Sequence, residues 1–216
     1  MNADPSYARA IWISIEGAGA MKRNSLTRAT AVLLSAAAAA GAQAGDEAPR
    51  AYVEQARGVA KEFATELKGE LKAALEEGGA SQAIGVCSET APAIGARLSA
   101  ESGWAVGRTA LQVRNPRNAP DSRERAVMMA FQQRHAAGEG LKGMESAGIV
   151  EEGSQRYVYY MKPIPTQKPC LTCHGGDVKE SIERAIAERY PADAATGFEE
   201  GEMRGAFTFI KPLSDR

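Results

Sequence analysis

The sequence predicts an α+β domain, on three observations. Between Ala51 and Glu77 apolar residues recur at three- and four-residue steps, the period of one helix face. Strand-like segments come later, at Tyr157–Met161 and Gly205–Ile210. The composition is that of an ordinary globular chain: 216 residues, 44% hydrophobic and 25% charged, with 22 Gly, 10 Pro and a formal net charge of −1. Such arithmetic excludes collagen-like, disordered and polytopic membrane chains. Helices first and mostly antiparallel strands later is the α+β order.

The N-terminus reads as an address. Met21-Lys22-Arg23 and Arg28 are positive, Ala29 to Ala40 is apolar, and Ala42-Gln43-Ala44 is a small-residue cleavage site. That is the layout of a secretory signal peptide, and the run falls short of the roughly 20 apolar residues a spanning helix needs. Residues 1–20 fit no part of a signal, so Met21 is the expected start. Cleavage after Ala44 leaves residues 45–216 as one domain. It removes four basic and two acidic side chains, for a net charge of −3. The expectation is a soluble periplasmic protein with no stable membrane insertion. Without a basic excess, nucleic acid is not an expected partner.

Along the mature chain, Val53, Ala56, Val59, Phe63, Leu67, Leu71 and Leu75 form the apolar stripe of a long helix, expected to stop at Gly78-Gly79. Ser81 is expected to cap a second helical piece reaching Cys87. Thr90 is expected to cap a third that starts near Pro92, where proline suits a first turn. Trp104 to Val113 is β-like. Arg114 to Pro120, with two prolines and two asparagines, is a shaped loop. Asp121-Ser122-Arg123-Glu124 is a capping box opening a helix to about His135. A glycine-rich connection at 138–143 leads to a hairpin of Ile149-Val150 and Tyr157–Met161 around Glu-Glu-Gly-Ser-Gln. Ser181–Tyr190 is a short helix and Gly205–Ile210 a last strand.

Chemistry enters at Cys170-Leu171-Thr172-Cys173-His174, the C-x-x-C-H pattern of covalent c-type haem attachment. Two thiols one turn apart reach two vinyl groups on one porphyrin edge, and the adjacent histidine binds iron as the proximal ligand. A zinc site needs a second spaced ligand pair, which the third cysteine and His135 do not supply. A thioredoxin-like reading lacks a preceding βαβ pattern. The export signal agrees, since bacteria attach c-type haem outside the cytoplasm. The cofactor expected is one covalent haem c.

The other side of the iron is open to several residues. Cys87 is the odd cysteine of three. It is also readable as a buried thiol or an intermolecular disulfide partner. His135 follows Met128 and Phe131 on one helix face, and Met128, Met129, Met144, Met161 and Met203 are thioether candidates.

Several short motifs occur in order: Val86-Cys87-Ser88-Glu89-Thr90-Ala91-Pro92-Ala93-Ile94, Gly107-Arg108-Thr109, Arg114-Asn115-Pro116 through Asn118-Ala119-Pro120, Tyr160-Met161-Lys162-Pro163-Ile164 and Cys170-Leu171-Thr172-Cys173-His174-Gly175. Over roughly 51–213 this set resembles the PAS-like c-type haem domain family, found as solitary exported proteins and as sensing parts of bacterial signalling proteins. The resemblance implies a PAS-like fold, a single covalent haem, His174 as proximal ligand and Cys87 as distal ligand.

His/Cys ligation favours ferric iron and a low potential. Release of a protonated Cys87 on reduction opens a site for a small gas. Arg108 and Arg114 are candidates to pair with the haem propionates, which add two negative charges to an acidic protein. The function expected is a haem-based redox or small-gas sensor or binding module. The alternative is a periplasmic electron-transfer cytochrome with a redox-partner protein, and an enzyme acting on peroxide or nitrogen oxides is a weaker third.

Overall fold

The computed structural model describes residues 47–213. The signal-peptide and start-site readings lie outside the described residues. No helix among those described is long and apolar enough to cross a membrane.

Helix α1 spans Arg50–Gly85 and buries Ala56, Val59, Ala60 and Phe63 from its first half. The expected stop at Gly78-Gly79 is a kink instead. Gly79 alone takes φ 67°, ψ −157°, and the helix resumes with Ser81 inside it rather than capping it. Glycine tolerates that conformation without the Cβ clash other residues meet. The reason the helix resumes is tertiary: beyond the kink, Ile84 is buried against Val178, Ile182, Ile186 and Tyr190. The chain then widens into a π-helical turn, Val86–Thr90, closed by the Ala91 N–H on the Val86 carbonyl. Thr90 caps nothing. It is itself helical (φ −67°, ψ −43°) and runs straight into α2, Ala91–Ser102, with Pro92 in the first turn as expected.

Strands β1 (Ala105–Thr109), β2 (Ser146–Glu152), β3 (Gln155–Pro165) and β4 (Met203–Pro212) form an antiparallel sheet ordered β1-β4-β3-β2. β1 is shorter than the Trp104–Val113 run predicts, because the loop intervenes: the Ala110 N–H bonds the Asn118 carbonyl at 3.1 Å, ending the pairing. The β2–β3 hairpin closes at Glu152↔Gln155 around Gly153-Ser154.

Alternation along the strands divides the core. Val158, Tyr160, Phe207 and Phe209 meet Phe63 of α1 and Ile94, Leu98 and Trp104 from α2 and the turn after it. The Phe63 and Phe207 rings lie 5.4 Å apart. Burying a side chain such as Phe63, 1% exposed, stabilises by about 1.5–3 kcal/mol. The opposite face, with Met161 and Ala206, packs on Met128 and Phe131 of α3, Ser122–Ala136. The capping box of α3 is complete: the Glu124 N–H donates to Asp121 Oδ1 at 2.7 Å and the Asp121 N–H to Glu124 Oε2 at 3.1 Å. A one-turn α4 (Leu171–His174) and α5 (Glu180–Arg189) lie between β3 and β4. The α+β, PAS-like reading is the observed architecture: a long N-terminal helix, further helices and a small open antiparallel sheet.

Candidate functional site

The Cys170–His174 segment is a 3₁₀ turn, Lys168–Cys170, running into α4. Residues three apart on such a turn share a face, which sets Cys170 and Cys173 side by side. Both are half-buried, and Cys173 packs on the cluster of Ile84, Val178 and Ile182. Gly175 follows because nothing larger fits: a Cβ there meets the Leu171 carbonyl oxygen at 2.7 Å.

His174 is held at three points. Its Nδ1 lies 2.7 Å from the Ala195 carbonyl. Its own carbonyl accepts the Phe198 N–H at 2.9 Å, and its ring stands edge-on to Phe198 at 6.3 Å. A carbonyl only accepts, so Nδ1 carries the hydrogen and Nε2 presents its lone pair. Burial, reinforced by the charges of Arg204 and Arg114, pushes the imidazole pKa down to about 3. The ring is a neutral donor.

Arg114 fixes that arrangement. Its Nε and Nη2 donate to the Asp193 carboxylate at 3.0 and 2.9 Å. Nη2 also donates to the Cys173 carbonyl at 2.6 Å and the Ala195 carbonyl at 3.2 Å. Asp193 Oδ1 in turn accepts the Ala195 N–H at 2.9 Å. One buried guanidinium therefore ties the 114–120 loop to the motif and to the carbonyl that orients His174. Burial alone would raise the Asp193 pKa, but the Arg114 hydrogen bonds and the Ala195 N–H hold it below the usual carboxylate range.

Cys87, in the π-helical turn, is half-buried, and that turn is tied to α5 by Arg189, whose Nη1 donates to Ser88 Oγ at 2.9 Å and to Glu89 Oε1 at 2.8 Å, while α5 packs on Cys173 through Ile182 and Ile186. Of the residues singled out by sequence, the fold brings Cys87, Cys170, Cys173, His174, Arg108 and Arg114 to this region. Arg108 stacks over Phe63 at 5.6 Å and Arg204 over Phe198 at 5.2 Å. Burial lowers the pKa of both guanidiniums, that of Arg204 to about 10 with help from Arg114 and Arg108.

His135 is not gathered there. Its Nδ1 lies 3.0 Å from the Glu139 carbonyl at the end of α3. Met128, Met144, Met161 and Met203 are core residues of the α3-facing cluster, and Met129 is 49% exposed. Among the described residues no three His, Cys, Asp or Glu side chains converge as a bare-ion site. Sequence reasoning missed Arg204, Tyr190, Asp193 and Ala195. Arg204 stood one residue outside the predicted last strand, and Asp193 and Ala195 carry no local pattern.

Fold and site together define a PAS-like α+β domain built around a C-x-x-C-H motif. Its sequence matches the profile of the Tll0287-like family over residues 28–212, and the chain belongs to that family. This is the family kinship that the ordered motifs suggested. Among solved structures it is similar to the crystal structure of the cyanobacterial heme-protein Tll0287. The TM-score is 0.59 and the identity 25%, over 78% of this chain and 99% of that one. No curated protein matches.

Proposed function

We propose that the protein is an exported monohaem c-type cytochrome with His/Cys axial ligation, acting as a haem-based redox or small-gas sensor or binding module. The observation that carries the reading is that the turn bearing Cys87 is held against the C-x-x-C-H motif, with Cys173 packed on Ile84 and Arg189 bonded to Ser88 and Glu89, while the motif histidine has no partner on Nε2 among the described residues. The chemistry of the donor set fits haem: two adjacent thiols for thioether bonds, a neutral imidazole, a third sulfur and an arginine-rich surround. The kinship with a heme-protein supports the same cofactor.

Bound haem supplies a one-electron iron couple and, when a ligand leaves, a coordination position for a small gas. The chain's residues do the rest. Cys170 and Cys173 would anchor the porphyrin by adding their thiols across its two vinyl groups. His174 offers Nε2 as proximal ligand, its tautomer fixed by the Ala195 carbonyl in the manner of other metal-binding histidines. Arg114 and Asp193 hold that carbonyl and the Cys173 backbone in place. Cys87 would offer Sγ to the iron, and a proton held at Sγ would weaken that hold. Arg108 is available to a propionate. Export rests on the Met21–Ala44 pattern.

The second reading is an electron carrier for a redox-partner protein. It is favoured by exposure of Thr172 and Gly176 beside the motif, which leaves that edge accessible. Redox titration with ligand-binding spectra separates the two. A low potential with carbon monoxide binding only after reduction is the sensor result. Fast exchange with a partner, and no carbon monoxide binding in either state, overturns it.

A further inference from the structure

The site holds more positive charge than its own residues neutralise. Arg114 is matched by Asp193. Arg123 and Arg156, whose Nε atoms are occluded from water like that of Arg204, each pair with a glutamate, Glu152 and Glu151. Arg204 differs from them. Its Nε is buried and unpartnered, and among the described residues neither Arg204 nor Arg108 has a carboxylate at ion-pair distance. Each guanidinium instead lies on an aromatic face, Phe198 and Phe63, which shields it without neutralising it. Burying a charge without a partner is costly. Arg108 and Arg204 are both half-buried, and two guanidiniums held partly out of water without a carboxylate beside one cysteine–histidine cluster mark a place where two negative charges are missing.

We propose that the guanidiniums of Arg204 and Arg108 form a two-cation clamp for the two propionate carboxylates of haem. The clamp rests on the haem reading above and assigns Arg204, which the sequence did not single out. It also separates the arginines by role: Arg114 spends its donors on Asp193 and two carbonyls and is a positioning residue, whereas Arg108 and Arg204 touch the cofactor. A Cys87 thiolate alone would answer only one of the two cations. Two carboxylates answer both, and a guanidinium–carboxylate pair is a strong charge-assisted contact.

The test uses the full chain carrying Cys170→Ser and Cys173→Ser, so that binding is reversible. It compares haem with haem dimethyl ester, whose carboxylates are blocked. Arg204→Gln is expected to weaken haem binding about tenfold to hundredfold and to leave ester binding unchanged. Equal weakening of both ligands, or of neither, overturns the clamp. The covalently loaded protein gives an independent readout. Arg204→Gln is expected to leave the thermal midpoint of the haem-free form unchanged or raised, since it removes an unneutralised charge, while lowering that of the loaded form. Equal losses in both forms contradict the proposal. Absence of haem from the wild-type chain, with both cysteines intact, would overturn the haem reading and the clamp together. Normal haem uptake that is indifferent to Arg204→Gln overturns the clamp alone.

Discussion

Arg114→Ala removes the clasp on the motif, and its cost follows from what is left behind. The guanidinium is 7% exposed and Asp193 12%, so the pair is largely out of water. After truncation Asp193 retains the Ala195 N–H at 2.9 Å but loses its cation. The Cys173 and Ala195 carbonyls each lose a donor as well. Breaking a buried pair from one side costs about 3–5 kcal/mol, whereas replacing both partners with apolar groups is often close to neutral. A domain's whole stability is about 5–15 kcal/mol, so the single variant is expected to lose a large share of it. For a chain of this size that corresponds to a fall of roughly 6–20 °C in Tm. The double variant Arg114→Met/Asp193→Leu is expected to recover most of it. Urea titration of wild type, both single variants and the double variant forms the cycle that isolates the pair. A loss below about 1 kcal/mol for Arg114→Ala, or strict additivity in the cycle, would refute the clasp.

Three further outcomes are expected. Gly175→Ala drives a Cβ to 2.7 Å from the Leu171 carbonyl, a backbone atom with little room to yield. It should cost about 1–3 kcal/mol and lower haem loading, read by denaturation and by haem content. Glu124 has a raised pKa, from burial first and then the Asp121 charge. The native state therefore disfavours its charged form, and the group's contribution to stability is lost as pH rises through the raised pKa. Glu124→Gln keeps an acceptor for the capping box, so it should be more stable than wild type at pH 8 by less than about 1 kcal/mol. The advantage should vanish at a pH below the ordinary carboxylate range, and melts showing the opposite trend would reject the assignment. N-terminal sequencing of the exported protein is expected to begin at Gly45, and any start before Met21 contradicts the signal reading.

Local patterns carried well from sequence to structure. The α1 stripe, the Asp121 capping box and the hairpin are all set by contacts within a few residues, and each formed where its pattern lay. What failed depended on distant packing. Gly78-Gly79 looked like a terminus because nothing nearby announces that Ile84 will be buried against α5. The π-helical turn at Cys87 is one extra residue accommodated between two helices, which composition does not encode. At the site, the motif at 170–174 was plain, but Arg114 finds Asp193 79 residues further on. Arg204 gained meaning only when the carboxylates around it could be counted.

The central claim is that Cys87 is the sixth ligand of ferric iron opposite His174, and electron paramagnetic resonance of the ferric protein tests it most directly. Cys87→Ser is expected to retain the fold and the covalent haem, to shift the iron toward a five-coordinate or water-ligated state and to raise its potential, because a strong anionic donor has gone. His135→Ala is expected to change neither the spectrum nor the potential, since its Nδ1 is already committed to Glu139 at the end of α3. A spectrum indifferent to Cys87→Ser and collapsed by His135→Ala would contradict the account.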